Sequence, residues 1–367
     1  METESGLSKR VALPDDLIRT LAMILVIVLH SSNETLQLLS SGSTYWWTAV
    51  VYKSLALSCV PLFVMLSGAL LLQPSKLNEP IRVFLKKRLS RIGLAFGFWS
   101  GVYIAWSFYI AKSPLTLINI SESIWYSLFS GAYYQFWFIY LIVGLYLITP
   151  ILRAIIANAN LRIIRYLILL WFVGIAIVPI IELYSQLIPG AVAGAYTLNP
   201  LVFAIGGWVG FFVLGIYLQR IKLRSAILYG LLTICFVWTL FGIWLMTYPL
   251  SGLQQGFFYF GYLTPNVIIG SAALFLLLIK FRPDWPGSNH KITSRISQAI
   301  SRNTLPIFLF HVIILESFER GFFGFTLSVT TLNPLIEIPL ITVLTLFVTL
   351  SLILLMRKVP ILKKLIG

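Results

Sequence analysis

Charged residues are scarce in this sequence of 367 residues: they make up 11% of it, whereas soluble proteins carry about 25%. Hydrophobic residues account for 59%, and the mean hydropathy is +0.91. A soluble fold of this length needs polar cover for its surface, so this composition excludes one. It also excludes a disordered chain, because disordered segments are poor in apolar residues and rich in charge. The composition predicts a polytopic membrane protein.

Acidic residues, cysteine and histidine are also rare. There are 12 Asp and Glu against 27 Lys and Arg, which gives a formal net charge of +15. In a soluble protein this excess would suggest nucleic acid binding, but membrane topology accounts for it here, so no nucleic acid partner is expected. Cys59 and Cys235 lie in apolar runs, which makes a disulfide framework unexpected. No His/Cys spacing suits a metal site, so none is predicted.

Long apolar runs recur along the chain at the length of about 20 residues that a membrane-spanning helix needs. Ten candidate spans follow: Leu17–Leu38, Trp47–Leu72, Ile92–Ala111, Phe136–Ile156, Ile163–Ile181, Pro200–Gln219, Ala226–Thr247, Phe257–Lys280, Thr304–Glu319 and Leu335–Met356. A shorter segment rich in serine and tyrosine, Ile124–Tyr134, is interpreted as interfacial or re-entrant. Because there is no internal repeat or linker, residues 1–367 are predicted to form a single all-α domain, a polytopic bundle of about ten transmembrane helices.

Lysine and arginine are distributed unevenly between the two ends of these spans. Of the 27, only Lys53, Lys112 and Arg320 fall on or near one side, which leaves 24 on the other. Positively charged loops stay in the cytoplasm, so the richer side is predicted to be cytoplasmic, with both termini there. We therefore expect a multi-pass protein of the cytoplasmic membrane.

The first predicted span carries ionisable residues, which are costly inside a bilayer and are functional candidates for that reason. Arg19 and His30 are eleven residues apart, close to three helical turns, so they share one helix face about 16 Å apart along the axis. Asp16 and Glu34 fall close to the same face. A carboxylate fixes the tautomer of an imidazole, so His30 is a candidate general base, paired with Glu34 or with a residue of another span. The alternative is that His30 only packs against neighbouring helices.

A second group of candidates lies at the cytoplasmic entrance of the third span, where Lys87 precedes Arg88 and Arg91. Two arginines at i and i+3 share a helix face and form a two-armed clamp for phosphate. The alternative is that these charges only set the topology.

Four further candidates lie inside other spans. Ser67 and Gly68 permit a close approach of backbones in the second span. Trp137 begins the fourth span in a run that would also suit an aromatic belt at the membrane surface. His311 lies in the ninth span, where a lone histidine has either a functional or a packing role.

Five segments, in this order, resemble motifs of the acyltransferase 3 family of membrane-bound acyltransferases, whose members include sugar O-acetyltransferases. The segments are DLIRTLAMILVIVLH with Arg19 and His30, VPLFVMLSGALLL with Ser67 and Gly68, KKRLSR with Arg88 and Arg91, FWFIYLIVGLYLITPIL with Trp137, and NTLPIFLFHVII with His311. The family opening usually reads Leu-Asp-Gly-Leu-Arg. This chain keeps the acid three residues before the arginine, as Asp16, and lacks the glycine.

The resemblance implies an acyl-CoA donor, such as acetyl-CoA, that enters from the cytoplasm, and a hydroxyl of a glycan or glycolipid as acceptor. It implies that His30 is the catalytic base, that Arg19 is its companion, and that Arg88 and Arg91 contact the phosphates of CoA. The remaining candidates are assigned beside these, Glu34 and Asp16 to the catalytic group and the others to donor binding: Lys87, Ser67, Gly68, Trp137 and His311.

The main alternative is a secondary transporter or flippase for a glycan or an anionic solute. Its proton and anion pathway would use Arg19, His30, Glu34 and His311. The chain has no detectable inverted repeat, and its Arg-x-x-Arg clamp suits a nucleotide donor better than a translocated solute. Both features favour the acyltransferase.

Overall fold

The computed structural model describes residues 14–177, 180, 200–249, 256–280 and 290–367. Helix dominates these residues, and no strand occurs among them. In chain order the helices are α1 (Asp15–Leu38), α2 (Thr44–Ala56), α3 (Cys59–Leu71), α4 (Ile81–Ala111), α5 (Leu117–Ser130), α6 (Trp137–Asn158), α7 (Leu161–Phe172), α8 (Pro200–Leu218), α9 (Ser225–Thr247), α10 (Pro265–Lys280), α11 (His290–Arg302), α12 (Thr304–Glu319), α13 (Pro334–Met356) and α14 (Pro360–Leu365). The all-α polytopic bundle predicted from the sequence is confirmed.

Each of the ten predicted spans coincides with a helix, but the lengths differ. Seven stretches of the described residues are long and apolar enough to cross a membrane: Asp15–Leu38, Thr44–Leu71, Ile81–Ala111, Leu117–Asn158, Ser225–Thr247, Phe258–Lys280 and Pro334–Met356. An eighth results if α11 and α12, which meet at an angle of 84°, count as one bent span. The predicted span Ile163–Ile181 is α7 followed by a π-helical turn, Val173–Ile177, and its end lies outside the described residues. The segment Ile124–Tyr134 belongs mostly to α5.

Helix α1 runs through the centre of the bundle. Its buried side chains recur at helical spacing, beginning with Ile18, Ala22 and Met23, and they pack against several neighbours. These neighbours are α2, α3, α10, α11, α12 and α13. One central helix therefore carries both Arg19 and His30.

The second predicted span is broken into α2 and α3 at Leu57 and Ser58. Pro61 explains the break, because its ring clashes with the carbonyl of the residue four positions earlier, which is Leu57. Ser58 at the break contacts Ser271 of α10, with 3.0 Å between the two hydroxyl oxygens. The break leaves the first turn of α3 in the middle of the bundle.

Helices α3 and α8 pack with their backbones in close contact. A Cβ atom on Gly68 would lie 1.8 Å from the carbonyl oxygen of Phe212, and one on Gly215 would lie 1.9 Å from that of Met65. Such distances exclude any side chain at these positions without movement of a helix. Gly68, which the sequence analysis assigned to donor binding, thus has a packing role at this contact.

Helix α4 has 31 residues and a length of roughly 46 Å, so it begins well before the predicted third span at Ile92. Its first three turns carry the basic residues, and Arg88 and Arg91 lie on the helix that then enters the bundle. The clamp predicted from the sequence is therefore rigidly attached to a membrane-spanning element.

Candidate functional site

His30 lies beside two other aromatic side chains from different elements. The centroid of its ring is 5.2 Å from that of Tyr134, in the short 3₁₀ turn before α6, and 5.3 Å from that of His311 on α12. The sequence analysis had placed His311 with the donor-binding residues and had no role for Tyr134. The structure brings the two histidines together.

The contacts of His311 determine which of its nitrogens is available. Its Nδ1 lies 2.8 Å from the carbonyl oxygen of Phe308 and 3.2 Å from that of Ile307. A carbonyl only accepts hydrogen bonds, so Nδ1 is the protonated nitrogen and, in the neutral imidazole, Nε2 carries a lone pair. Nε2 is buried and makes no hydrogen bond within the described residues. His311 thus presents an unused acceptor next to His30.

A cavity of about 480 Å³ opens beside His30. It is lined by Val26, Leu29, His30, Cys59, Val60, Gln135, Trp137, Phe138, Trp208, Gly261, Tyr262, Leu263 and Phe308. Trp137, Trp208 and Tyr262 form an aromatic wall, with ring centroids 5.4–5.9 Å apart. Trp137, predicted from the sequence, therefore lines the same cavity as His30.

Gln135 is a polar lining residue that the sequence analysis did not single out. Its side chain is 1% exposed, and neither the nitrogen nor the oxygen of its amide has a hydrogen-bond partner among the described residues. Buried amides are normally satisfied, so this one is an exception that calls for an explanation. A glutamine between two aromatic runs at the start of a span is the signal that would have drawn attention to it.

Carboxyl groups gather at the end of the bundle where α1 ends, beyond His30. Four glutamates, Glu34, Glu316, Glu319 and Glu337, together form what we call the acidic end. Glu34 is hydrogen-bonded to Glu319 and lies close to Glu337, which is fully buried. Glu34, one of the two alternatives predicted as the partner of His30, is thus paired with another carboxyl group in the described structure. No group of three or more metal-ligating side chains that could hold an ion occurs in the described part of the chain.

Glu316 of the acidic end holds two elements together. Its Oε1 accepts a hydrogen bond of 2.5 Å from the Tyr133 hydroxyl, and its Oε2 accepts one of 2.8 Å from the indole of Trp106. Hydrogen bonds to a carboxylate are stronger than neutral ones, so this contact fixes the turn before α6 against α12. Tyr134, next along the chain, is thereby held against His30.

Arginines gather at the opposite end of the bundle, around Tyr146 of α6. Arg88 lies with its guanidinium carbon 5.8 Å from the centroid of the Tyr146 ring, and the charges of Arg19 and Arg91 also reach the Tyr146 hydroxyl. Arg357, at the end of α13, lies close enough to Arg91 to lower the pKa of the Arg357 guanidinium, although burial is the larger cause. We call Arg19, Arg88, Arg91 and Arg357 the basic end. Arg357 is its one member without a sequence prediction.

The arginines of the basic end have few counter-ions. Arg19 pairs with Asp15 at 3.8 Å, while Arg88, Arg91 and Arg357 make no ion pair within the ranges that the structure describes. The Nε atoms of Arg88 and Arg357 are buried without a partner. Guanidinium groups that converge without carboxylates repel one another, and a bound polyanion such as a phosphate ester would neutralise them.

Other basic residues near this end are already occupied. Arg153 pairs with Glu79 at 3.0 Å, and its Nε donates to the carbonyl of Leu71. Lys76 donates to the carbonyl of Leu70 at 2.6 Å. Burial, followed by the charges of Arg88 and Arg153, lowers the pKa of Lys76 below its usual range. Arg88 of the basic end thus also acts on the charge of a neighbouring lysine.

The remaining predicted residues lie apart from these groups. Asp16 makes no ion pair in the described structure, where its neighbour Asp15 is the residue paired with Arg19. Lys87 is exposed on α4, and Ser67 is half-buried at the contact of α3 with α8. The structure therefore brings together His30, His311 and Trp137 in one place, and Arg19, Arg88 and Arg91 in another.

Comparison with known proteins identifies a family. A family model described as an acyltransferase domain, acyltransferase 3, matches residues 16–354 of the chain. No curated protein and no solved structure matches significantly. The match includes the acidic end, His30, the residues that line the cavity and three of the four arginines of the basic end, Arg357 being outside it. The chain therefore belongs to the acyltransferase 3 family and is a membrane acyltransferase.

Proposed function

We propose that the protein transfers an acyl group, most simply acetyl, from acyl-CoA to a hydroxyl group of a glycan or a lipid-linked sugar. The donor binds with its phosphates at the basic end, on the cytoplasmic side. The acceptor enters from the acidic end, and the two meet beside His30. No metal takes part in this scheme.

The proposal rests on one feature above all: Arg19 and the half-buried His30 lie on the same side of a single central helix, and the unpaired Arg88 and Arg91 of α4 gather beside Arg19 around Tyr146. Arg19 and His30 of α1 are separated by about 16 Å along its axis. Phosphates held by arginines at one end leave the extended pantetheine arm of CoA free to reach into the bundle. The thioester would then lie in the cavity beside His30.

The acyl transfer needs a base, and we assign this role to His30. Its imidazole removes the proton from the acceptor hydroxyl, and the resulting alkoxide attacks the carbonyl carbon of the thioester. The tetrahedral intermediate collapses as the carbon–sulfur bond breaks, and CoA leaves as the thiolate. The imidazolium then returns its proton to the thiolate. The aromatic wall of the cavity excludes water, which would otherwise compete with the acceptor.

Binding of acetyl-CoA tests the donor site directly. Isothermal titration of the purified protein in detergent should give saturable binding, and Arg88→Gln/Arg91→Gln should weaken it at least tenfold, because each charged hydrogen bond is worth about 1.5–3 kcal/mol. Lys86→Gln, on the exposed face of the same helix, is the matched control and should bind as the wild type does.

The same preparations test the role of His30. His30→Gln should bind acetyl-CoA normally and lose about 10²–10⁴-fold in the release of CoA, with water or a sugar as acceptor. An unchanged rate would exclude His30 as the base. If the folded wild-type protein binds no CoA species, the proposal fails and the transporter alternative takes its place.

A further inference from the structure

We propose that the side-chain amide of Gln135 is the oxyanion donor of the acyl transfer, the group that stabilises negative charge on the thioester oxygen. This inference rests on the proposed function, and it assigns a catalytic residue that neither the sequence motifs nor the family membership indicates. It rests on the position of Gln135, on its burial and on its unused hydrogen-bonding capacity.

The position of Gln135 follows from the residues around it. Tyr134 on one side lies near His30, with 5.2 Å between ring centroids and the rings tilted by 51°, and Phe136 on the other side is fully buried against Tyr103. Gly131, at a φ of +89°, sets the turn before this segment, and a Cβ there would lie 2.7 Å from the Cβ of Phe136. Gln135 is therefore held between two anchored aromatic residues and cannot move away from the cavity it lines.

The hydrogen-bonding capacity of Gln135 is unused. Its amide group has two N–H donors, and neither finds an acceptor within hydrogen-bonding geometry in the described structure. The Tyr103 hydroxyl lies close to this amide and itself donates to the carbonyl of Leu309 at 2.7 Å. Tyr103 can accept one N–H of the amide and leave the second for a ligand. A buried donor without a partner is destabilising, so its retention here fits a role with substrate.

Two other donors that line the cavity are less suited to this role. The Tyr262 hydroxyl lies 3.9 Å from the sulfur of Cys59, and Trp137 is 38% exposed. Gln135 alone among these combines full burial with a free amide. It is neutral, so it neither gains nor loses a proton in the reaction.

The amide would act during the attack on the thioester. When the alkoxide oxygen bonds to the carbonyl carbon, the electron pair of the C=O bond moves onto its oxygen. An N–H of Gln135 donates to this oxygen until the C=O bond reforms and CoA leaves. Such preorganised donors act strongly in a dry site, because they need no reorientation as the charge develops.

Two substitutions of Gln135 test this assignment. Gln135→Glu keeps the shape but has an acceptor in place of the N–H donors, and Gln135→Leu removes hydrogen bonding altogether. Both should lose about 10²–10³-fold in kcat for CoA release from acetyl-CoA while binding acetyl-CoA as the wild type does. Gln37→Glu, the same change at an exposed position of α1, is the control and should keep full activity.

The infrared spectrum of bound acetyl-CoA provides a readout that a purely structural role would not change. In the wild-type complex, the stretch of a ¹³C-labelled thioester carbonyl should move to lower frequency than in free acetyl-CoA, and Gln135→Leu should abolish this shift. The inference would be overturned if both variants had the rate of the wild type. It would also be overturned if the thioester carbonyl of acetyl-CoA bound to the wild type had the frequency that it has in a solvent without water. Either result would leave the proposed function intact. Failure of the wild-type protein to bind acetyl-CoA would reject the proposed function itself.

Discussion

Several buried polar atoms that have no hydrogen-bond partner among the described residues lie near His30. They include Nε2 of His311, both polar atoms of the Gln135 amide and Oε2 of Glu34. Each such atom costs stability when it is buried, and membrane interiors provide no water to satisfy it. A cluster of them on different helices is typical of a site that completes its hydrogen bonds only when substrates bind. Apolar substitutions at these positions should therefore maintain or raise stability and lower activity.

His311→Leu tests this opposition. The change replaces an imidazole that has one unpartnered buried nitrogen by an apolar side chain of similar size, so the thermal stability in detergent should stay the same or rise. The rate of CoA release from acetyl-CoA should fall at least tenfold, because His30 loses a neighbour whose ring lies 5.3 Å away. Thermal unfolding and turnover are measured on the same preparation.

A loss of both stability and activity in His311→Leu would contradict this view and would make His311 a packing residue. His311→Gln is the companion variant, since it keeps a polar group at the position. It should retain more activity than His311→Leu and have no gain in stability.

Helix contacts determine where these residues lie, and the contact of α3 with α8 is the tightest. Two glycines, Gly68 and Gly215, allow the backbones to touch. The first turn of α3, with Cys59 and Val60, is fixed by this contact and lines the cavity beside His30. The shape of the cavity therefore depends on residues that touch no substrate.

Gly68→Ala should separate these two helices. Its new Cβ would lie 1.8 Å from the carbonyl oxygen of Phe212, so we expect a loss of about 1–3 kcal/mol or more in stability, measured as a lower temperature of unfolding in detergent. Gly97→Ala on α4 is the matched control, because no atom lies within 4 Å of its added Cβ. That variant should be neutral or slightly stabilised, since alanine favours helix. Equal effects of the two changes would contradict the packing role of Gly68.

The helices could be predicted from the sequence because their positions depend on local features, namely the length of apolar runs and the spacing of residues within them. Apolar runs of sufficient length predicted every span, and the spacing of Arg19 and His30 placed both on one helix face. Contacts between distant elements could not be predicted, because they depend on how the helices pack. For this reason Tyr134, Gln135 and Arg357 were missed, and the contact of Glu34 with Glu319 of α12 was not anticipated.

The whole molecule is electrically polarised along the axis of α1. The basic end collects four arginines with a single carboxylate paired to them, whereas the acidic end collects four glutamates against Arg320 and Lys53. Under the proposed function, a donor and an acceptor that enter from opposite ends would thus meet opposite charges. An anionic donor is attracted to one end, and an anionic acceptor is repelled from the other.

The charge of the acceptor should therefore control its rate. We expect a neutral sugar, such as a methyl glucoside, to be acylated at least tenfold faster than the matching methyl glucuronide at saturating acetyl-CoA, because a carboxylate placed near like charges costs at least about 1–2 kcal/mol. The ratio of the two acylation rates is obtained from initial rates of CoA release, after the rate of acetyl-CoA hydrolysis without a sugar has been subtracted. Glu34→Gln/Glu319→Gln should reduce this ratio, since the one negative charge that this hydrogen-bonded pair of carboxyl groups shares is removed, and raised salt should reduce it as well. Faster transfer to the glucuronide would mean that acceptors do not pass the acidic end. The path of the acceptor would then have to lie between helices, from the bilayer into the cavity.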